Sequence, residues 1–247
     1  MKKKLSVVIP AYNEEGEIEK TVRAFSEKLK KEKIVHEILV VNDNSRDGTE
    51  GILKKLEKEI KEFRYVNNSP PNGFGFAVRR GLDEFSGDLV AVVMADLSDD
   101  PKDLVRMYGR ALKGSDCVFG SRFVKGGSVI DYPIHKLLLN RFINNIIRAL
   151  FLIKYNDVTN AFKLYSKETI KGLRPFLSNH FNLTVELPLK AIVRGYSYTV
   201  IPNKWTNRKS GVSKLKIKEM GSRYFFIILY CYLEKLLSRG DYKKKQN

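Results

Sequence analysis

A chain of 247 residues, 43% of them apolar, is long enough to bury one substantial core, and strand and helix patterns alternate along it without a linker. A formal charge of +17 and a pI near 9.7 call for an anionic partner, which nucleic acid, an acidic membrane surface or phosphorylated substrates would each provide. Cys117 and Cys231 lie in an apparent strand and an apolar helix, which argues against a disulfide or zinc framework and for a reducing, cytoplasmic compartment.

The lysines at the start precede an apolar segment that ends at Pro10, too short for a signal peptide. Leu5 to Ile9 reads as a buried strand, Pro10 to Glu15 as the loop at its carboxyl end, and Ile18, Val22, Phe25 and Leu29 as the core face of a helix. Tyr12 offers a ring to stack on a base, and Asn13, Glu14 and Glu15 can bond a base edge or a ribose. His36 to Val41 repeats the pattern and ends in NDNSRDGT, which brings Asp43 beside Tyr12 as an acceptor for a ring N–H. Ser45, Asp47 and Thr49 read as turn and cap residues. A third strand, Phe63 to Asn67, leads into NSPPNGFGFAVRRGL, whose glycines do not complete a dinucleotide fingerprint because position 78 is valine; no Walker loop is present either. Arg79 and Arg80 are open to two readings, a face for a diphosphate or a solvated basic face.

The stretch from Leu89 to Pro101, LVAVVMADLSDDP, is an apolar run that stops in carboxylates and meets a proline suited to a helix start. In open α/β sheets ligands bind at the carboxyl ends of strands, so Asp96, Asp99 and Asp100 are placed to hold a divalent cation and, through it, a phosphate. Asp99 and Asp100 read more simply as caps of the following helix, and Asp96 as the functional acid. After a strand over Asp116 to Gly120, a helix runs from about His135 to Ile153, with Leu138, Phe142, Ile146 and Leu150 along one face and Lys136, Asn140 and Arg141 near its start. A strand-like AFKLY and two helices follow. Glu186 sits in an apolar segment of the second, where it needs a partner, and its structural and catalytic readings stand level. Tyr198 to Asn203 is a last strand before the basic, glycine-hinged loop KWTNRKSGVSKLK. The tail, Ile217 to Ser238, carries YFFIILYCYL, about half of what spans a bilayer. It reads as a basic amphipathic helix lying in an anionic membrane interface, aided by Lys214, Lys216, Lys218 and Lys243 to Lys245; the competing reading docks it on the core, a membrane protein or a second copy.

The segments VVIPAYNEEGEI, VVNDNSRDGT, NGFGFAVRRGL, VVMADLSDDP, GSRFVKGG, DVTNAFKLY and RKSGVSKL occur in an order and spacing that resembles family 2 glycosyltransferases, within them the polyprenyl-phosphate synthase branch, over roughly residues 4 to 217. The resemblance implies a GT-A fold: an α/β, Rossmann-like, mostly parallel sheet flanked by helices over 1–213, with the C-terminal helix and tail over 214–247 as an appendage. It implies Pro10, Tyr12, Glu14 and Asp43 around the nucleoside of a nucleotide-sugar of the GDP-mannose or UDP-glucose type. It also implies Asp96 on a divalent metal, Mg²⁺ or Mn²⁺, and Asp157 as an acid beside the donor site. Arg122, Lys136 and Asn140 stand where that branch holds the phosphate of a polyprenyl or dolichyl acceptor, and Arg208 and Lys214 are the contacts expected from the basic loop; Asp96, Arg122 and Arg208 carry the catalytic roles. Met94 replaces the family's first aspartate and Ser98 a frequent glutamine. The expected activity is inverting hexosyl transfer at the cytoplasmic face of a membrane. A sugar-hydroxyl acceptor is the alternative and would need a base from Asp99, Asp100 or Glu186. Nucleic-acid binding would account for the charge but not for acids at strand ends.

Overall fold

The structure, a computed structural model, describes residues 3–207 and 217–245. Its elements in chain order are β1 (Leu5–Ala11), α1 (Ile18–Lys31), β2 (His36–Asn42), α2 (Thr49–Glu59), β3 (Phe63–Asn67), α3 (Phe74–Glu84), β4 (Leu89–Val92), α4 (Pro101–Ala111), β5 (Cys117–Ser121), β6 (Ser128–Ile130), α5 (Ile134–Phe151), β7 (Lys163–Ser166), α6 (Lys167–Gly172), α7 (Leu183–Val193), β8 (Tyr198–Pro202), β9 (Lys204–Thr206) and α8 (Ile217–Leu237). The β-branched runs of β1, β2 and β4 are buried throughout, as strands covered on both faces must be. They form a seven-stranded sheet in the order β3-β2-β1-β4-β7-β5-β8. The α/β, mostly parallel architecture expected from the sequence is therefore present, with one reversal: β7 runs antiparallel to both β4 and β5. β6 and β9 pair apart from it as a short ribbon.

Alternation along β1 sends Leu5, Val7 and Ile9 to one face, under α1, α2 and α4, and Val8 to the other, under α3, α5, α7 and α8. Because β1, β2 and β4 are parallel, their carboxyl ends open on one edge. β4 ends at Val92, its ladder continued by one bond from Val93 N–H to Val8, so Asp96 stands on a turn beyond the strand rather than on it. Met94 to Asp99 is a loop whose Leu97 takes φ 53°, an uncommon conformation for leucine.

α5 stops at Phe151, two residues short of expectation, because Leu152 adopts the left-handed conformation at φ 55° and breaks the hydrogen-bond ladder. The expected boundary at 213/214 falls outside the described residues. Beyond it α8 is docked: Ile227 and Cys231 are buried against the core, and Arg194, just past the end of α7, makes a bidentate pair with Glu234 at 2.7 and 2.9 Å. Lys244 returns to Asp116 at 2.8 Å, so this tail lysine faces a protein carboxylate. Among the described residues no helix is long and apolar enough to cross a membrane.

Arg194 and Glu234 are both nearly inaccessible, so removing one charge strands the other. Glu234→Ala is expected to lower the unfolding free energy by about 3–5 kcal/mol in urea titrations, and a loss below about 1 kcal/mol would mean that this pair does not hold α8 in place.

Candidate active site

Three loops at the carboxyl ends of β1, β2 and β4 meet on the open edge of the sheet. Ser45 Oγ accepts from Asn13 N–H at 3.0 Å, Thr49 Oγ1 from Glu14 N–H at 2.9 Å, and Glu15 Oε2 from Gly48 N–H at 2.6 Å. Ser45 and Thr49, expected to make turn and cap bonds, thus stitch the first loop to the second, while Asp47 accepts from Thr49 N–H at 3.0 Å as expected. Asn13 and Asn44 take φ of 51° and 60°, the left-handed turns that let each loop double back. Tyr12 is exposed at the rim, Glu14 is half-buried beneath it, and Pro10 is buried inside β1 opposite Val41, where it shapes the strand end.

Asp43 is buried. Its oxygens accept from Asn68 Nδ2 and from Gly73 N–H, both at 2.8 Å; burial raises its pKa and these two bonds oppose the rise. Gly73 takes φ 145°, and a Cβ on Gly75 would lie 2.3 Å from the backbone of Asn179, so Gly75 lets that backbone pack against the start of α3. Each carboxylate oxygen keeps acceptor capacity for a ring N–H. Arg79 bonds Asn179 and Arg80 pairs with Glu84, so these arginines serve the protein itself.

On the third loop Asp96 Oδ1 accepts from Ser98 N–H at 3.1 Å. Asp100 caps α4 by accepting from Lys102 N–H at 2.8 Å, as expected. Asp99 does not cap. Its backbone bridges to Trp205 of β9, and its carboxyl turns inward to 2% exposure, held by the Met94 N–H. Burial, reinforced by Asp96, pushes its pKa to about 7. Among the described residues Asp99 Oδ2 and Ser98 Oγ are buried without hydrogen-bond partners. These hard oxygens beside Asp96 suit Mg²⁺ or Mn²⁺, but among the described residues no group of three acidic, histidine or cysteine side chains is gathered to hold an ion, so substrate oxygens must complete the shell.

Behind the loop lies a dry floor of charges. Arg122, at the end of β5, donates to Asp157 from its backbone N–H at 2.9 Å, from Nε at 2.8 Å and from Nη2 at 2.7 Å. Both side chains are buried, and although burial works against the guanidinium's charge, Asp157 raises its pKa well above the usual range. Lys163 of β7 is buried too, its ammonium donating to the Val158 and Thr184 carbonyls at 3.0 and 3.2 Å, and burial lowers its pKa to about 7. Asn140 of α5 donates to Thr159 at 2.9 Å and accepts from Asn144 at 3.0 Å, fastening α5 to the loop that carries Asp157. Lys136 is half-buried near the start of α5. Arg208 and Lys214 lie outside the described residues.

The structure thus gathers Tyr12, Glu14, Asp43 and Asp96 on one edge and sets Arg122 and Asn140 behind it. That Asn68 and Gly73 hold Asp43 is not legible in the local pattern of either segment. Lys163 was legible only as a lysine inside an apolar strand.

The model of glycosyl transferase family 2 matches residues 6–174. This chain is a family 2 glycosyltransferase. The GT-A, Rossmann-like architecture agrees with it, and two solved structures superpose on the chain. Glucosyl-3-phosphoglycerate synthase from Mycobacterium tuberculosis, solved with Mn²⁺, UDP and phosphoglyceric acid, aligns with a TM-score of 0.69 at 22% identity over 99% of this chain and 80% of its own. A mycobacterial protein aligns with a TM-score of 0.74 at 18% identity over 93% and 74%. At these identities the likeness is one of fold. By sequence the glycosyltransferase is 31% identical to polyprenol monophosphomannose synthase of Mycolicibacterium smegmatis over 85% of this chain and 80% of that protein. It is 32% identical to dolichol-phosphate mannosyltransferase of Pyrococcus furiosus over 87% of this chain, but spans only 60% of that relative's length.

The buried Asp99 supplies a pH test of the site. An unfolded aspartate releases its proton near pH 4, whereas folded Asp99 keeps it to about pH 7, so in that window the folded state binds more protons and stability falls as pH rises. Asp99→Asn removes this fall. Its melting temperature is expected to gain on the wild type progressively from about pH 5 to about pH 8, and parallel curves would show that Asp99 is not held in a desolvated site.

Proposed function

We propose that this glycosyltransferase moves a hexose from a nucleoside-diphosphate sugar to the phosphate of a polyprenyl or dolichyl lipid, with inversion at the anomeric carbon, while seated on the cytoplasmic face of a membrane. The observation that carries the reading is the outer face of α5, where Ile134, Leu138, Phe142 and Ile146 stand exposed at one-turn spacing, Leu138 at 65% and Phe142 at 63%. The opposite side of the same helix is tied through Asn140 and Asn144 to the loop that holds Asp157 and Arg122. An apolar surface and the floor of the site are therefore two sides of one helix. α8 meets α5 through the Tyr232 and Phe151 rings and adds exposed Phe225, Phe226, Leu229 and Leu233. With a chain charge of +17, an anionic bilayer is the occupant this surface fits. The two relatives named above, one a polyprenol monophosphomannose synthase and the other a dolichol-phosphate mannosyltransferase by name, support the same substrate class.

In this reading Tyr12 stacks on the base, Asp43 and Glu14 accept from base or ribose, and Pro10 shapes the pocket floor. Asp96, with the oxygens of Ser98 and Asp99, would hold Mg²⁺ or Mn²⁺, which supplies positive charge to the departing diphosphate when bound. Lys136 and Asn140, with Arg208 and Lys214, attend the acceptor phosphate, and Arg122 positions that region through Asp157. A phosphate monoester has a second pKa of about 6, so near neutrality it attacks as an anion. One of its oxygens bonds to the anomeric carbon as the bond to the diphosphate oxygen breaks, and no proton has to be removed.

The chain's carboxylates support this choice over a hydroxyl acceptor. Glu186 is buried and committed to the Leu177 and Ser178 N–H groups and to Lys190, Asp100 is committed to α4, and Asp99 is turned inward beside Asp96, where it would face the ion rather than an acceptor hydroxyl. None is presented as a general base.

Incubation with labelled GDP-mannose, UDP-glucose and related donors, together with undecaprenyl or dolichyl phosphate in vesicles, is expected to put label into the organic extract. Asp96→Asn should abolish this transfer and nucleotide-dependent Mn²⁺ binding with little change in melting temperature, because the asparagine oxygen still accepts from Ser98 N–H. Label reaching only water-soluble glycans would overturn the reading.

A further inference from the structure

Arg122 meets the acceptor region with its charge already neutralised by Asp157, and two of its donors are spent on that carboxylate. A phosphate dianion entering a partly dry site needs a cation without a counter-ion, and preferably the fork of a guanidinium. Arg141 of α5 has that character. Among the described residues it pairs with no carboxylate, and its Nη1 is buried without a hydrogen-bond acceptor. Its guanidinium lies 4.5 Å from the centre of the Phe123 ring, and Arg122 lies 5.2 Å from the same ring. Phe123 thus fixes Arg141 next to the Arg122 and Asp157 floor by cation–π attraction, which restrains a guanidinium without consuming its N–H groups.

Place on the helix completes the case. Arg141 is one turn beyond exposed Leu138 and one turn before buried Asn144, on the seam between the apolar stripe of α5 and its anchored side. A headgroup bound there leaves an alkyl chain free to run along Leu138 and Phe142. In the ligand-free protein an unpaired buried donor on a charged group costs stabilisation that an incoming phosphate oxygen returns.

We propose that Arg141 recognises the acceptor's phosphate headgroup, and that the adjoining Leu138 and Phe142 receive the first part of its hydrocarbon chain. The inference rests on the lipid-phosphate reading above. It concerns a phosphate monoester, whose source can be a lipid headgroup or a soluble phosphorylated metabolite, and the apolar stripe favours the lipid.

The test compares wild type with Arg141→Ala, Arg141→Gln and Arg141→Lys, checked for matched melting temperatures; Gln retains a stem over Phe123 should Ala fold poorly. Binding of decyl phosphate, decanol and glycerol phosphate is followed by calorimetry, and transfer to polyprenyl phosphate by kinetics. Loss of a charge-assisted hydrogen bond predicts that the Ala and Gln variants bind decyl phosphate about tenfold or more weakly and raise the acceptor KM alike, with the donor KM within about twofold. Lys should recover part of the loss, and decanol binding should not change. Unchanged decyl phosphate affinity in both neutral variants, or an equal loss for decanol, overturns the role of Arg141. Glycerol phosphate bound as tightly as decyl phosphate overturns the lipid source. Arg141-dependent decyl phosphate binding without any lipid-linked product instead leaves the phosphate site standing and refutes the proposed reaction.

Discussion

The site is organised on one buried ion pair, Arg122 with Asp157. Two charges this inaccessible are tolerated only because the geometry is bidentate and the backbone N–H of Arg122 serves the same carboxylate. The pair fixes the end of β5 to the loop at 157–160, and that loop in turn anchors α5 through Thr159 and α7 through the carbonyl bonds of Lys163. Asp99 and Lys163 flank the pair in the same dry floor. Burial moves both toward neutrality, each to about 7, while Asp157 holds the charge on the Arg122 guanidinium. The floor therefore keeps its net charge small near neutral pH, and free positive charge is left to residues nearer the cleft.

Local pattern made much of this legible in the sequence. Apolar runs gave β1 and β2 with bounds close to those observed, since strands buried on both faces have to read that way, and β3, the half-buried edge strand, spans the residues expected. Strand-end logic brought Tyr12, Asp43 and Asp96 to a common edge. Pattern failed where long-range contacts decide. Nothing near Asp99 and Asp100 tells which of two adjacent acids turns inward; the bridge from Asp99 to Trp205, far along the chain, decides it. The resemblance set Arg122 at the acceptor phosphate, and its pairing with Asp157, 35 residues away in the sequence, does not show in local pattern. The reversal of β7 is likewise a matter of tertiary pairing, and β6 and β9 are too short to announce themselves.

The C-terminal helix joins two readings that the sequence set against each other. Its inner face docks through Ile227, Cys231 and the Arg194 and Glu234 pair, while its outer face leaves Phe225 at 69% exposure. Docking and an apolar outer face are compatible because a helix has two sides. By docking, α8 meets α5 through the Tyr232 and Phe151 rings, and both helices carry exposed apolar residues. Lys244 is drawn back to Asp116, so the tail's charge serves the fold at that point.

The claim that the Arg122 and Asp157 pair is the organising element is tested most directly by a double-mutant cycle on Arg122→Met, Asp157→Leu and the combined variant, read by chemical denaturation and by the KM for donor and acceptor. Each single substitution leaves a buried charge unpaired and is expected to cost about 3–5 kcal/mol, the double variant to cost much less than their sum with a coupling of about 2 kcal/mol or more, and the single variants to impair both substrates. An Arg122 variant of wild-type stability that loses acceptor affinity alone would contradict the account and return Arg122 to a direct role on the acceptor.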